Sequence, residues 1–132
     1  MFDGCKSLSN IPHINTLKST NFSNIFRYCH NINTIPLLDT SNGTNFNGMF
    51  WECINLTSIP QLNTSKGTDF DSMFRFCYKL LDIPQIDTSN GTNFGNMFYD
   101  NRILENIPQL NTSKGTYFNS MFYSCQAISS IP

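Results

Sequence analysis

The ten residues IPQLNTSKGT run from Ile59 to Thr68 and return unchanged from Ile107 to Thr116. They belong to a 24-residue repeat, since the six prolines keep that spacing at Pro12, Pro36, Pro60, Pro84, Pro108 and Pro132. Phenylalanines keep the same spacing at Phe2, Phe26, Phe50, Phe74, Phe98 and Phe122. A fixed period of this length indicates coils that stack on one another. The chain holds about five and a half such copies.

Each copy of the repeat has two halves with different apolar patterns. In one half, apolar residues fall at a spacing of three and four, as in Phe46, Met49, Phe50, Cys53 and Leu56, which predicts a short helix after the N-cap residue Thr44. The other half, such as residues 58–62, predicts a brief extended strand with proline near one end. The sequence therefore predicts an α/β repeat solenoid with short parallel strands on one side and short helices on the other.

The segments DTSNGT and NTSKGT between the two halves predict turns. Asx and hydroxyl side chains there can bond nearby backbone, and the glycines are expected to adopt positive φ at Gly43, Gly67, Gly91 and Gly115. The copies form one predicted domain over residues 1–132. Both ends fall mid-repeat without a polar cap, so we expect an excerpt of a longer array, and neighbouring copies of the chain remain possible partners.

Stacking of copies predicts ladders of equivalent side chains, and two of these ladders alternate in charge. Asp39 and Asp87 stand where the other copies have Asn, while Lys66 and Lys114 alternate with amides at Asn42 and Asn90. Alternation halves the charge in each ladder and interleaves amides that can bond either neighbour. Recent duplication of a two-copy unit is an alternative explanation, and the two are compatible.

Composition excludes several classes of function. The net charge is −1, and only 13% of residues are charged, so no basic surface for nucleic acid is expected. The sequence contains no signal peptide and no apolar run long enough to span a membrane. No motif for catalysis, metal binding or a cofactor occurs, and the two histidines, His13 and His30, occupy different positions of the repeat. We therefore expect no enzymatic activity, no metal and no cofactor.

A column of cysteines is interrupted once. Cys29, Cys53 and Cys77 belong to it and, like the phenylalanine and proline columns, are expected to be structural ladders; the favoured interpretation is buried free thiols, with disulfides between adjacent copies as the alternative. Asn101 takes the cysteine position in the least regular copy, where a local irregularity is expected.

The candidate binding residues are those that the repeat leaves variable. One position, directly after the Met-Phe pair, reads Arg27, Trp51, Arg75, Tyr99 and Tyr123. In the predicted helix it points away from the apolar face, so the five side chains would form an exposed stripe of the residue types that anchor binding surfaces. The alternative is that bulky side chains merely shield a thin stack.

The repeat resembles the BspA-like leucine-rich repeats of bacterial and mycoplasma surface lipoproteins. The Met73–Phe74 pair, Cys77 and the Asp87–Thr88–Ser89 triplet carry the resemblance. The resemblance implies a right-handed, leucine-rich-repeat-like solenoid outside the cell or at its surface, without a catalytic site. The first functional hypothesis is a recognition or adhesion module for a protein or glycan receptor. The alternative is a structural repeat, a rigid spacer or self-assembling fibre, including a phage or virion appendage.

Overall fold

The computed structural model describes residues 1–131, and within them the chain winds into a stack of coils joined by hydrogen bonds. Alternate residues of one coil donate their backbone N–H groups to carbonyls of the next: Phe46 to Asp69, Gly48 to Asp71, and onward along the coil. A nearby bond runs the opposite way, from the Thr68 N–H to the Thr44 carbonyl. Each coil is thereby held in register by the coils before and after it.

The predicted α/β, leucine-rich-repeat-like solenoid is wrong. Residues 1–131 contain no α-helix, and strand pairing is limited to isolated parallel bridges that each join single residues. These bridges are Asn21↔Asn45, Asn45↔Asp69, Asp69↔Asn93 and Asn93↔Tyr117. The coils are built from turns and irregular backbone, so neither short helices nor a parallel sheet flanks the stack.

The predicted helix is a run of tight turns. The Met49 N–H donates to the Phe46 carbonyl and the Cys53 N–H to the Phe50 carbonyl, so the chain bends every three residues without forming the i to i−4 bonds of an α-helix. Gly48 has φ +58 and Glu52 has φ +61, values that interrupt a right-handed helix. The apolar spacing of three and four survives because each turn still directs one side chain inwards.

Positive φ recurs at the same two positions of most coils, and residues other than glycine usually occupy them. They are Asn24, Tyr28, Glu52, Ser72, Phe76, Asn96, Asp100, Ser120 and Ser124. A side chain with Cβ costs roughly 1–2 kcal/mol in this left-handed conformation. The bonds between coils offset that strain, since the N–H groups of these residues, such as Glu52 to the Arg75 carbonyl at 2.7 Å, lie in the ladder.

The predicted strand is an extended segment in which side chains replace the backbone ladder. Gln61 Nε2 donates to the Gln85 carbonyl at 2.5 Å, and Gln85 Nε2 donates to the Gln109 carbonyl at 2.8 Å. Thr64 Oγ1 likewise donates to the Asp87 carbonyl at 2.8 Å. Amide and hydroxyl groups thus join adjacent coils here, which explains why residues 58–62 form no strand.

The turn glycines have a different role from the predicted one. Gly43, Gly67, Gly91 and Gly115 are not among the residues with positive φ. A Cβ on Gly67 would lie 2.5 Å from Phe70 Cζ and 2.9 Å from the Thr64 carbonyl oxygen. Glycine is needed here because the phenylalanine ring three residues later packs against its backbone. The Asx bonds of these turns are confirmed, as in Ser65 N–H to Asn63 Oδ1 at 3.2 Å.

Two columns of stacked phenylalanine rings form the centre of the core. Phe26, Phe50, Phe74 and Phe98 are fully buried, and consecutive rings in their column, including Phe122, have centroids 5.5–5.8 Å apart. A second column comprises Phe22, Phe46, Phe70, Phe94 and Phe118. The spacing suits offset stacking of aromatic rings. Pro36, Pro60, Pro84 and Pro108 recur at the periphery, where each is partly exposed.

Candidate functional site

The predicted stripe is a continuous surface column, which we call the arginine–aromatic column (Arg27, Trp51, Arg75, Tyr99 and Tyr123). The tight turns place each member directly after a core phenylalanine, which is fully buried in all coils but the last, where Phe122 is partly buried. The Arg75 guanidinium lies 5.2 Å from the Trp51 ring centroid and 4.6 Å from that of Tyr99. Arg27 lies 5.6 Å from Trp51 on its other side. Cations and rings therefore stack along the axis, and four of the five side chains are partly buried while Tyr123 is 58% exposed.

The stacking leaves few free ring faces in the arginine–aromatic column. The guanidinium groups of Arg27 and Arg75 pack on Trp51, while Tyr99 contacts Arg75 and stacks on Tyr123 with centroids 4.8 Å apart. A sugar that binds by stacking needs an open face of an aromatic ring. The faces of Trp51 and Tyr99 are thus covered by their neighbours, which suits contact with apolar side chains better than stacking with a sugar.

A second row of residues supports the arginine–aromatic column from the neighbouring turn position. Tyr28 lies 5.7 Å from Trp51, and Phe76 meets Tyr99 edge-on at 5.3 Å, both measured between ring centroids. Both Tyr28 and Phe76 have positive φ. The unusual backbone therefore directs a second aromatic side chain beside the column.

Carboxylates pair with two of the three arginines of the chain. Arg27 Nε and Nη2 donate to Asp3 at 2.9 and 2.6 Å, and this bond holds the pKa of Asp3 below its ordinary value. Arg102 Nε and Nη2 donate to Asp100 at 2.9 Å each. Forked pairs of this kind are the strong form of the interaction. Within residues 1–131, Arg75 has no such carboxylate.

A shallow polar groove runs along another side of the stack. Its walls repeat the column that contains His13, Leu37, Gln61, Gln85 and Gln109. The only sequence signal for this groove is that its polar outward positions alternate with buried ones along each extended segment. It is lined by amides, hydroxyls and two carboxylates, and its glutamines already bond the next coil.

The alternating charge ladders lie beside this groove. Lys66 Nζ donates to Asn42 Oδ1 at 2.7 Å, and Lys114 Nζ donates to Asn90 Oδ1 at 2.6 Å. The prediction that interleaved amides bond their charged neighbours is confirmed for these lysines. The amide of the intervening coil accepts from lysine, so no two lysines meet directly.

The cysteine column is a hydrogen-bonded part of the core. Cys53 and Cys77 are fully buried, and each thiol donates to a phenylalanine carbonyl in the preceding coil at 3.1 Å. Burial raises the pKa of both thiols and raises that of Cys29 to about 11, so these thiols stay protonated and unreactive at neutral pH. The five cysteines are free.

Asn101 is a substitute within the cysteine column. Its side chain is fully buried and Nδ2 donates to the Phe74 carbonyl at 2.8 Å, the bond that cysteine makes elsewhere. Its Oδ1 has no hydrogen-bond partner among residues 1–131. The amide therefore preserves the bond between coils but leaves one polar atom unsatisfied.

Residues 1–131 hold neither a cluster of metal-ligating side chains nor a membrane-spanning helix. No group of three or more His, Cys, Asp or Glu side chains there could hold a metal ion. In that same part of the chain, no helix is long and apolar enough to cross a membrane.

The fold and the arginine–aromatic column define a repeat protein built of stacked, turn-rich coils with one variable surface. Comparison with protein families matches residues 1–102 and 55–131 to the family described as Mycoplasma protein of unknown function, DUF285. The chain belongs to that family. No curated protein and no solved structure matches the chain.

Proposed function

We propose that the protein is a non-enzymatic recognition module that binds a protein partner through the arginine–aromatic column. The supporting observation is that the variable position of the repeat brings Arg, Trp and Tyr side chains into one rigid surface column. These are the residue types that dominate the binding energy of protein interfaces. Contacts between rings and guanidinium groups hold the side chains in place before binding, which lowers the entropy lost on association.

The column favours a protein over a glycan as the partner. The faces of Trp51 and Tyr99 are occupied by neighbours within the stack, and both side chains are only partly buried. Apolar side chains of a partner can pack against their exposed parts and exclude water from the cations between them. The polar groove is the second candidate surface, but its glutamines are engaged in bonds between coils.

A panel of immobilised extracellular proteins and a glycan array would test the proposal. The wild-type chain is compared with the triple variant Trp51→Ser, Tyr99→Ser and Tyr123→Ser, after thermal melts show that the variant is folded. A matched control changes Asp39→Asn and Asp87→Asn in the groove, since Asn occupies the same position in other coils. We expect protein binding that the triple variant loses and the control retains. Binding that survives in the triple variant would refute the assignment.

A structural role is the second candidate function. Its supporting observation is the regular bonding from coil to coil, in which two phenylalanine columns and the backbone ladder repeat along the stack. Such a stack could serve as a rigid spacer or a self-assembling fibre, including part of a phage or virion appendage. Electron microscopy at rising protein concentration separates the two roles. Filaments would favour the fibre, and short monodisperse rods would favour the recognition module.

Display outside the cell is part of the proposed recognition role. The resemblance of the repeat to BspA-like surface proteins supports an extracellular or cell-surface location. Antibody labelling of intact and permeabilised cells tests it. Equal labelling of both is expected for a surface protein, and labelling only after permeabilisation would contradict this location.

A further inference from the structure

Arg75 differs from the other two arginines in its surroundings. Arg27 and Arg102 each donate two hydrogen bonds to one carboxylate, Asp3 and Asp100 respectively. Among residues 1–131, no Asp or Glu oxygen lies within ion-pair distance of Arg75. Two of the three arginines therefore bind a carboxylate within residues 1–131, and Arg75 does not.

The repeat register explains why Arg75 has no partner. Asp3 reaches Arg27 from the coil below, 24 residues earlier. The equivalent position below Arg75 is occupied by Trp51, which contributes a ring in place of a carboxylate. The stack itself therefore supplies no anion at this rung of the column.

Aromatic side chains hold the Arg75 guanidinium in place. Its central carbon lies 4.6 Å from the ring centroid of Tyr99, 4.8 Å from that of Phe76 and 5.2 Å from that of Trp51. Contact with rings fixes a planar guanidinium while its remaining N–H groups stay available to a planar acceptor. Because these rings already restrict the Arg75 side chain, binding of a carboxylate costs little further conformational entropy.

Two buried donors at the same place lack acceptors. Arg75 Nε and Trp51 Nε1 are inaccessible to solvent and have no hydrogen-bond partner among residues 1–131. Buried N–H groups without a partner are uncommon in folded proteins and call for an explanation. Here they lie on adjacent rungs of one column, beside the unpaired cation.

We propose that Arg75 is the anchor of the interface and binds an Asp or Glu carboxylate of the protein partner. This inference rests on the proposed recognition function and adds the chemistry of the partner. The carboxylate accepts from the terminal N–H groups of the Arg75 guanidinium, since Trp51 occupies the place that Asp3 has below Arg27, and apolar residues beside it pack against Trp51, Phe76 and Tyr99. The motif recognised is an acidic residue flanked by apolar side chains. An acidic sugar shares the carboxylate but has no open ring face on which to stack.

Trp51 provides the assay because it is the one tryptophan of the chain and touches Arg75. Its fluorescence is followed while the wild-type protein is titrated with the peptide acetyl-Leu-Asp-Leu-amide. Acetyl-Leu-Asn-Leu-amide is the matched neutral peptide, and a glucuronate-containing disaccharide is the acidic sugar. We expect a saturable change with the Asp peptide, at least tenfold weaker binding of the Asn peptide, and weaker binding of the Asp peptide as salt is raised.

Two variants locate the effect. Arg75→Met should weaken binding of the Asp peptide at least tenfold, while Lys66→Asn, which removes a cation outside the arginine–aromatic column at a position where other coils have Asn, should leave it within twofold. Equal affinity for the Asp and Asn peptides, no saturable response, or a response that survives in Arg75→Met would overturn the inference. Because the peptide comparison uses the wild-type chain, it does not depend on the folding of any variant.

The remaining outcomes separate this inference from the proposed function. A saturable response to the disaccharide alone would overturn the choice of a protein carboxylate and assign Arg75 to an acidic glycan. If the peptides fail while the triple variant still loses protein binding on the panel, the recognition function stands and Arg75 is not its anchor. If the peptides bind as expected but the triple variant keeps its panel partner, the proposed function fails and the carboxylate site remains.

Discussion

Replacement of Asn101 by cysteine should stabilise the protein. Asn101 donates one hydrogen bond, to the Phe74 carbonyl, but its buried Oδ1 has no partner among residues 1–131. An unsatisfied buried polar group costs about 1–3 kcal/mol. Cysteine makes the equivalent bond in other coils, with the Cys77 thiol 3.1 Å from the Phe50 carbonyl, and brings no second polar atom that needs a partner.

We therefore expect Asn101→Cys to raise the free energy of unfolding by about 1–2 kcal/mol, allowing for the weaker bond of a thiol. For a chain of this size each kcal/mol corresponds to a shift of roughly 3–5 °C in Tm. Urea unfolding and thermal melts under reducing conditions would measure the change. The reverse substitution, Cys77→Asn, provides a matched control and should destabilise by a similar amount.

The result that would refute this reasoning is an unchanged or lower stability of Asn101→Cys. It would mean that Asn101 Oδ1 is already satisfied, for example by a buried water molecule, and that the amide costs the fold nothing. A loss of stability in both variants would instead show that each coil packs specifically around its own residue.

Three further predictions concern the turns and the thiols. Gly67→Ala should lower the free energy of unfolding by about 1–3 kcal/mol, because the new Cβ meets the Phe70 ring and backbone; urea unfolding would measure it, and a neutral effect would contradict the close packing. Ser120→Gly should raise the free energy of unfolding by about 0.5–1 kcal/mol, and with it Tm, because Ser120 has φ +53, where a Cβ is strained. Ser120→Ala keeps the Cβ and should give no gain in a thermal melt. Burial raises the pKa of Cys29 from 9.0 to about 11, so the unfolded chain loses this proton first and the free energy of unfolding should fall as pH rises from 9 to 11. Urea unfolding across this pH range would measure the fall, which should be smaller in Cys29→Ala. An equal fall in wild type and variant would contradict the prediction.

The candidate site could be found only in part from the sequence. The variable position of the repeat identified Arg27, Trp51 and Arg75 as neighbours, because equivalent residues of stacked coils must lie side by side. The sequence did not reveal that their rings and guanidinium groups cover one another, nor that the Arg75 guanidinium lies over the Phe76 ring. That geometry depends on positive φ at residues other than glycine, for which the sequence carries no clear signal.

The glycine and strand predictions failed for a related reason. Gly67 has a clear local interpretation as a turn residue with positive φ, but the structure uses its missing side chain to admit a phenylalanine ring. Residues 58–62 have the composition of a strand, but Gln61 and Thr64 use their side chains to bond the next coil. Both outcomes depend on tertiary contacts, which the secondary-structure propensities of single residues do not describe.

The sequence by itself determined the period of the coils and the residues that fill their interior. A 24-residue repeat brings identical side chains together, so Phe50, Phe74 and Cys77 fall into columns whatever the backbone does between them. Only the tertiary structure decided the path of that backbone. A spacing of three and four suits both a helix and a run of tight turns, and the choice depends on whether an N–H group bonds its own coil or the next one. In this protein alternate N–H groups bond carbonyls of the next coil while those between them close tight turns within their own coil, so a stack of turns replaces the helix.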